Sequence, residues 1–349
     1  MKHIHIGHHF YGSGNVGDDF MLAGFLLELS KKPYQVSISC CIPYELNKIK
    51  SRFPQINWLP YTQEAREACI KTCDVWLGLG GSPFQNSVST WFIDHLAIEH
   101  SLALKFSKPM AFLGIGSQDD EAFANKDLIR IIDYSEFIST RDTYTYKNLL
   151  SKKLLSKKIS LGADLGHLFL SKNLPRDAVK GRLSTILNSD YKQWPNLNSL
   201  VTSLDDLKAS EQIWLIQESR KLPGSEQSLF ESLPYEIKAK WKPIFAEQSA
   251  SPLSTITSLW PTSEWTLTSR YHAAIVSFWG GSKPTILGLN KKLESLANEF
   301  GLEALPIDSP NKTVLKSLSG TKPIDRSILI DHTNRAKISV DNFCRTFGI

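Results

Sequence analysis

Short apolar runs alternate with amphipathic stretches along the whole chain. In the first half, Ile4 and Ile6 alternate with His3 and His5, the period-two pattern of a strand. A loop over Gly12-Ser13-Gly14-Asn15-Val16-Gly17-Asp18-Asp19 follows, then an apolar helix over Phe20 to Leu29. The pattern next predicts a strand over Tyr34 to Ile42, a helix over Tyr44 to Arg52 and a short strand over Asn57 to Pro60. It continues with a helix over Gln63 to Cys73, a strand over Asp74 to Gly78, a helix over Val88 to Leu104 and a strand over Pro109 to Leu113. A helix over Asp127 to Tyr134, a strand over Glu136 to Thr140, a helix over Thr143 to Leu150 and a strand over Ile159 to Leu161 complete this half. Strands that alternate with helices imply a parallel sheet covered on both faces, with ligands at the carboxyl ends of the strands.

Lys172 to Lys180 carries a proline and several charges and reads as a linker. A second alternating series follows, with strands over Arg182 to Leu187, Gln212 to Gln217, Lys242 to Glu247, Glu264 to Thr268, Pro284 to Leu289 and Ala304 to Ile307. Helices fall over Glu226 to Lys240 (interrupted by Pro234), Pro252 to Leu259, Ala273 to Trp279, Lys291 to Phe300 and Asp325 to Phe347. The expected architecture is α/β: two Rossmann-like doubly wound domains, 1–171 and 181–349, facing a cleft, with the terminal helix 325–347 packing back on the first.

Composition narrows the class. With 349 residues, 42% hydrophobic and 21% charged, the chain is long enough for two cores and reads as a globular protein. A net charge of +5 permits acidic substrates or weak attraction to an anionic membrane surface, and gives no footprint for nucleic acid. The sequence has no apolar run of transmembrane length and MKHIHIGHHFYGSGN has no signal-peptide core, so a cytoplasmic location is expected. Five scattered cysteines read as small buried hydrophobes.

Candidate chemistry gathers at strand-to-helix junctions. Ser269-Arg270-Tyr271-His272 lies between a strand and an apolar helix, with Ser269 placed to cap the helix and Arg270 and His272 in its first turn. Unpartnered first-turn N–H groups, the helix dipole and a guanidinium fork suit an anion, and His272 can move protons near neutral pH. The same residues also fit a solvated arginine and a satisfied core histidine. Arg141 sits at a second such junction. The glycine pair in Gly80-Gly81-Ser82-Pro83-Phe84-Gln85-Asn86 lets a ligand approach the backbone closely. Asp18 and Asp19 at a helix start disfavour phosphate, so their loop either binds a hydroxylated group, carries a base, or is simply a cap with a tight turn. His3, His5, His8 and His9 lack a Cys or carboxylate spacing for a metal, and none is expected.

These segments, in this order, resemble the polysaccharide pyruvyltransferase family. Gly14 to Asp19 resembles its G-N-x-G-D-E start, Gly80 to Asn86 its G-G-S-x-x-Q-D segment, Arg141-Asp142 its R-D/E helix start and Gly162-Ala163-Asp164 its A-D segment. Thr268 to Ala273 resembles its S-x-R-L-H-A signature, and Lys292 with Leu293 and Leu296 its K-V-x-x-F/L helix. Tyr271 replaces the usual Leu, Asp19 a Glu and Asn86 an Asp, departures that bear on the acceptor more than on the donor.

The resemblance implies a glycosyltransferase-B-like fold. It implies transfer of pyruvate from phosphoenolpyruvate, the co-substrate, to a sugar or lipid-linked oligosaccharide, forming a ketal without a cofactor. It further implies donor binding by Arg141, Ser269, Arg270, Tyr271, His272 and Lys292. His272 would be the acid and Asp18 or Asp19 the base, with Asn15, Gly80, Gly81, Gln85 and Asn86 on the acceptor side. Lipid-linked acceptors would bring the protein to the inner membrane face as a peripheral contact. A two-domain glycosyltransferase using a nucleotide sugar is the alternative that shares the fold.

Overall fold

The computed structural model describes the chain except residues 31, 41–45, 87–89, 153–157, 175–176, 190–193, 195, 219, 247–252, 254–256, 258–259, 261, 289 and 321–323. It divides into two compact units. The first holds Met1–Ser13, Asp18–Phe169 and Ile330–Ile349; the second holds Gly14–Gly17 and Leu170–Leu329. The loop that sequence reading assigned whole to the first domain is thus divided, with Gly14–Gly17 in the second unit.

The first unit is built on strands β1 (Lys2–His9), β2 (Tyr34–Cys40), β3 (Asn57–Leu59), β4 (Val75–Leu79), β5 (Met110–Ile115), β6 (Phe137–Thr140) and β7 (Lys158–Leu161). They lie in the order β3-β2-β1-β4-β5-β6-β7, with every neighbouring pair parallel. Strands β4 and β5 are buried along their whole length, which is why VWLGL and MAFLGI read as unbroken apolar runs. Trp76, Phe84 and Phe112 form the centre of one packed face. The last helix, Arg326–Phe347, brings Phe343 against Phe25 and Phe137, and Ser139 Oγ donates to Ser339 Oγ at 2.8 Å.

The second unit uses β8 (Val179–Ile186), β9 (Glu211–Ile216), β10 (Lys242–Phe245), β11 (Ser263–Thr268), β12 (Thr285–Gly288) and β13 (Ala304–Pro306). Their order is β10-β9-β8-β11-β12-β13, again parallel throughout. Leu183, Trp214, Leu267 and Leu287 lie at its core. Strand order reverses between β1 and β4 and between β8 and β11, the positions where open α/β sheets present ligand crevices.

Several sequence expectations need correction. Helix Val16–Leu29 starts earlier than its apolar run, so Asp18 and Asp19 sit inside its first turn. Strand β8 begins inside the stretch taken for a linker, which also contains the end of an unforeseen helix, Gly166–Asn173. Asp164 Oδ1 accepts from Gly166 N at 2.9 Å and so starts that helix. Helices Leu197–Ser203 and Asn311–Ser319 were also missed. The helix expected over Pro252 to Leu259 falls largely outside the described residues.

Two buried histidines make folding pH-dependent. His5 is held down to about 3 and His332 to about 2, in both cases chiefly by burial, so both are neutral when folded. The His332 ring lies 5.0 Å from that of His167, tilted by 38°, and the charge of His167 would further oppose protonation. Unfolded, each takes up a proton below its ordinary 6.5, so stability is lost as pH falls through that value. Each contributes a slope of at most about 1.4 kcal/mol per pH unit. Urea unfolding from neutral to mildly acidic pH should show this loss, and His332→Leu should reduce the slope. An unchanged slope in the variant would refute the assignment.

Candidate active site

The second unit places its site at the carboxyl end of β11. Helix Tyr271–Trp279 begins there, but its N-cap is Arg270, not Ser269 as the sequence predicted. Ser269 Oγ is engaged elsewhere. It donates to Asn188 O at 2.8 Å and accepts from Asn188 N at 2.8 Å, tying the ends of β11 and β8 together. Thr268 Oγ1 accepts from Arg270 N at 3.0 Å and fixes the turn.

Arg270 is held between two carboxylates. Its Nη2 donates to Glu218 Oε2 at 3.1 Å, and its Nε lies 3.0 Å from Glu226 Oε1. Glu226 is fully buried and Glu218 nearly so, while Arg220 also donates to Glu218 Oε1, at 2.5 Å. The fork that sequence reading aimed at an anion is therefore directed, at these two nitrogens, by protein carboxylates. Two arginines and two glutamates balance the charge. Arg270 is the N-cap of a helix whose first-turn N–H groups lack intrahelical acceptors, a setting that suits an anion. Lys292 is half-buried near the start of the helix Lys291–Glu299.

The first motif of the chain meets the Thr268–Ala273 segment inside this unit. Asn15 bridges to Glu218 in antiparallel fashion, and Val16 N donates to Gln217 O at 3.4 Å. Asn15 Oδ1 accepts from Gly17 N at 3.1 Å, and the Gln217 amide lies 3.1 Å from the Asn15 side chain, oriented so that its oxygen accepts from Arg270 Nε and Nη2 at 3.3 Å. Gly17 lies directly on the His272 ring: a Cβ added there would stand 2.3 Å from Nδ1 and 2.6 Å from Cγ. His272 is buried, and the Tyr271 ring meets it edge-on at 5.5 Å. Gly17→Ala must therefore push the imidazole aside. The expected result is an overpacking cost of about 1–3 kcal/mol in stability with the fold retained, together with a loss of kcat because His272 is displaced. Unchanged kcat would show that the ring position is irrelevant.

The first unit holds the remaining candidates. Arg141, at the end of β6, is 2% exposed; its Nη1 donates to Asp164 Oδ2 at 3.0 Å and its Nη2 to Ser82 Oγ at 2.7 Å. Asp142 caps helix Thr143–Ser151 by accepting from Thr145 N at 2.7 Å, and burial pushes its carboxyl above the ordinary range. Asp19 pairs with Arg52 at 2.6 Å, both buried, whereas Asp18 is half-buried. Gly80 and Gly81 both have left-handed backbones, with φ of 63° and 71°. At Gly80 a Cβ would also meet Met21 Sδ at 2.6 Å. Asn86 N donates to Asp119 Oδ2 at 3.0 Å, and Asn86 Oδ1 accepts from Asn125 at 3.4 Å; Gln85 is half-buried beside it. Among the described residues no group of three or more His, Cys, Asp or Glu side chains is arranged to hold a metal.

Sequence reading missed Gln217, Glu218 and Glu226. The only signal was their position, at the end of the strand run QIWLIQ and at the start of the next helix.

Two parallel-sheet α/β units of this order define a glycosyltransferase-B-like protein, and solved structures agree. The UDP-GlcNAc 2-epimerase of Methanocaldococcus jannaschii, in complex with UDP-GlcNAc and UDP, matches with a TM-score of 0.64 at 13% identity, covering 100% of this chain and 99% of that one. The Neisseria meningitidis UDP-GlcNAc 2-epimerase gives 0.60 at 10% identity, covering 99% and 100%. Arabidopsis thaliana UGT89C1 complexed with UDP gives 0.58 at 11%, covering 100% of both. No curated protein matches the chain in sequence. The profile of the polysaccharide pyruvyl transferase family matches residues 15–278, from the Asn15 that docks beside Arg270 to the helix that carries His272, and the chain belongs to that family.

Proposed function

We propose that the protein transfers pyruvate from phosphoenolpyruvate to a sugar of a cell-surface polysaccharide or its lipid-linked precursor, forming a cyclic ketal. One observation carries this reading: Asn15 and Gly17 of the first family motif and Arg270 and His272 of the S-x-R-L-H-A signature meet in one unit at the start of one helix. The first-turn N–H groups of helix Tyr271–Trp279 receive the anionic donor, with Arg270 fixed at the cap and Lys292 adding charge. His272 gives a proton to the methylene carbon of the donor. One sugar hydroxyl then adds to the cationic carbon and loses its proton, phosphate departs with one proton, and the second hydroxyl closes the ring and loses its proton. Asp18 or Asp19 receives hydroxyl protons.

The test is incubation with phosphoenolpyruvate and extracted lipid-linked glycans, read as a pyruvyl mass increment with release of one phosphate. His272→Gln should lower the rate by roughly 10²–10⁴-fold, the usual contribution of a general acid. A thermal shift with UDP-sugars but none with phosphoenolpyruvate, and no mass increment, would replace this reading with a nucleotide-sugar transferase.

No described helix is long and apolar enough to cross a membrane. A lipid-linked acceptor therefore calls for peripheral contact, so the membrane-bound share of the protein should be removable by salt. A share that needs detergent would contradict this.

A further inference from the structure

The second unit also contains a pocket of about 620 Å³ that no catalytic role above uses. Its described lining comes from Ser189, Trp194 and the start of helix Leu197–Ser203 on one side, and from Gly224 with Leu229 and Ser232 of helix Glu226–Ser232 on the other. Ser189 N donates to Gly224 O at 2.9 Å and joins these two walls. Both walls continue into the site: Asn188, next to Ser189, holds Ser269, and Glu226, two residues beyond Gly224, holds Arg270. Among the described residues its lining has no ionisable side chain; serines and asparagines surround Trp194 and two leucines. Ser189 Oγ and Trp194 Nε1 are buried in that lining without a hydrogen-bond partner among the described residues. Such a state costs about 1–3 kcal/mol per group and calls for a ligand or water. Asn196, at the exposed edge, adopts a left-handed backbone with φ of 61°, an uncommon conformation for a residue other than glycine.

We infer that this pocket binds an uncharged sugar residue. The volume falls in the range of small-ligand sites. A hexose supplies hydroxyls that can accept from the indole N–H and pair with Ser189, and an apolar ring face for Trp194 and Leu197. The described lining offers neutral serine and asparagine groups, the partners that sugar hydroxyls use. As the seat of an acceptor unit next to the Arg270 cap, the pocket rests on the transferase reading; as a saccharide pocket it does not.

The test is saturation-transfer NMR on the whole protein with methyl β-D-glucopyranoside, methyl β-D-galactopyranoside and methyl α-D-mannopyranoside. At least one should give signals from its ring protons. Ser232→Trp, at an exposed rim position, should abolish them. Trp194→Phe, which keeps the ring and removes the N–H, should weaken binding about 3–10-fold. Phosphoenolpyruvate should shift the melting temperature equally in all three proteins. No signal from any glycoside, or signals that survive Ser232→Trp, would overturn the inference. If glycoside binding behaves as described while phosphoenolpyruvate shifts nothing, the transferase reading fails and the saccharide pocket stands.

Discussion

Arg141→Ala should destabilise the first unit by about 3–5 kcal/mol, the cost of leaving one member of a buried ion pair without its partner. Asp164 is 1% exposed and Arg141 2%, so water cannot replace the guanidinium. The loss should spread to two neighbours. Ser82, next to the glycine pair, loses the donor that holds it, and Asp142, already pushed up by burial, loses an adjacent positive charge. Replacing both partners together, as Arg141→Met with Asp164→Asn, should recover part of the loss, because no charge is then stranded and the amide oxygen can still accept from Gly166 N. Urea unfolding of the single and double variants checks this. If Arg141→Ala melts like the unmodified protein and only donor affinity falls, Arg141 is a ligand clamp and not a structural residue.

Arg270 should be the most sensitive position in the second unit, for a related reason. Removing it leaves Glu218 and Glu226 as two buried carboxylates facing one vacated site, with Arg220 reaching only Glu218. Arg270→Ala should therefore cost about 3–5 kcal/mol of stability and abolish transfer. Arg270→Lys keeps the charge but loses the planar fork whose Nη2 and Nε meet the two carboxylates separately. It should stay folded and lose roughly 1–3 kcal/mol of transition-state stabilisation, a factor of about 5–150 in kcat/KM. Glu226→Gln, made in the Lys variant, should not rescue it. Wild-type kcat/KM in Arg270→Lys would show that the planar fork contributes nothing.

The parts of this structure that were legible in the sequence are those encoded by local periodicity. Strands β4 and β5 are continuous apolar runs and β11 alternates, with Trp265 and Leu267 between polar residues, so both parallel sheets could be anticipated from the alternation of such strands with helices. Helix Asn311–Ser319 could have been found as well: Val314 and Leu318 are four apart, Pro310 precedes its start and Gly320 follows its end. The Ser269 cap failed because a distant residue, Asn188, competes for the hydroxyl, and local chemistry cannot reveal such a competitor. The same holds for Arg270. Its two carboxylates come from after β9 and from the next helix, and no spacing rule connects them to an arginine tens of residues later. The docking of Asn15 and Gly17 in the second unit was hidden for a different reason: the residues on either side of that short segment belong to the first.

The placement of the last helix has a consequence for synthesis. Phe343, which packs on Phe25 and Phe137, is translated long after the sheet it completes. At ordinary ribosomal speeds the interval from the end of β7 to the final residue lasts about 10–40 s, far longer than a helix or hairpin needs to form. During that time the nascent first sheet has the surface meant for Phe343 uncovered, so a chaperone that holds emerging apolar surface has a defined period and a defined patch on which to act.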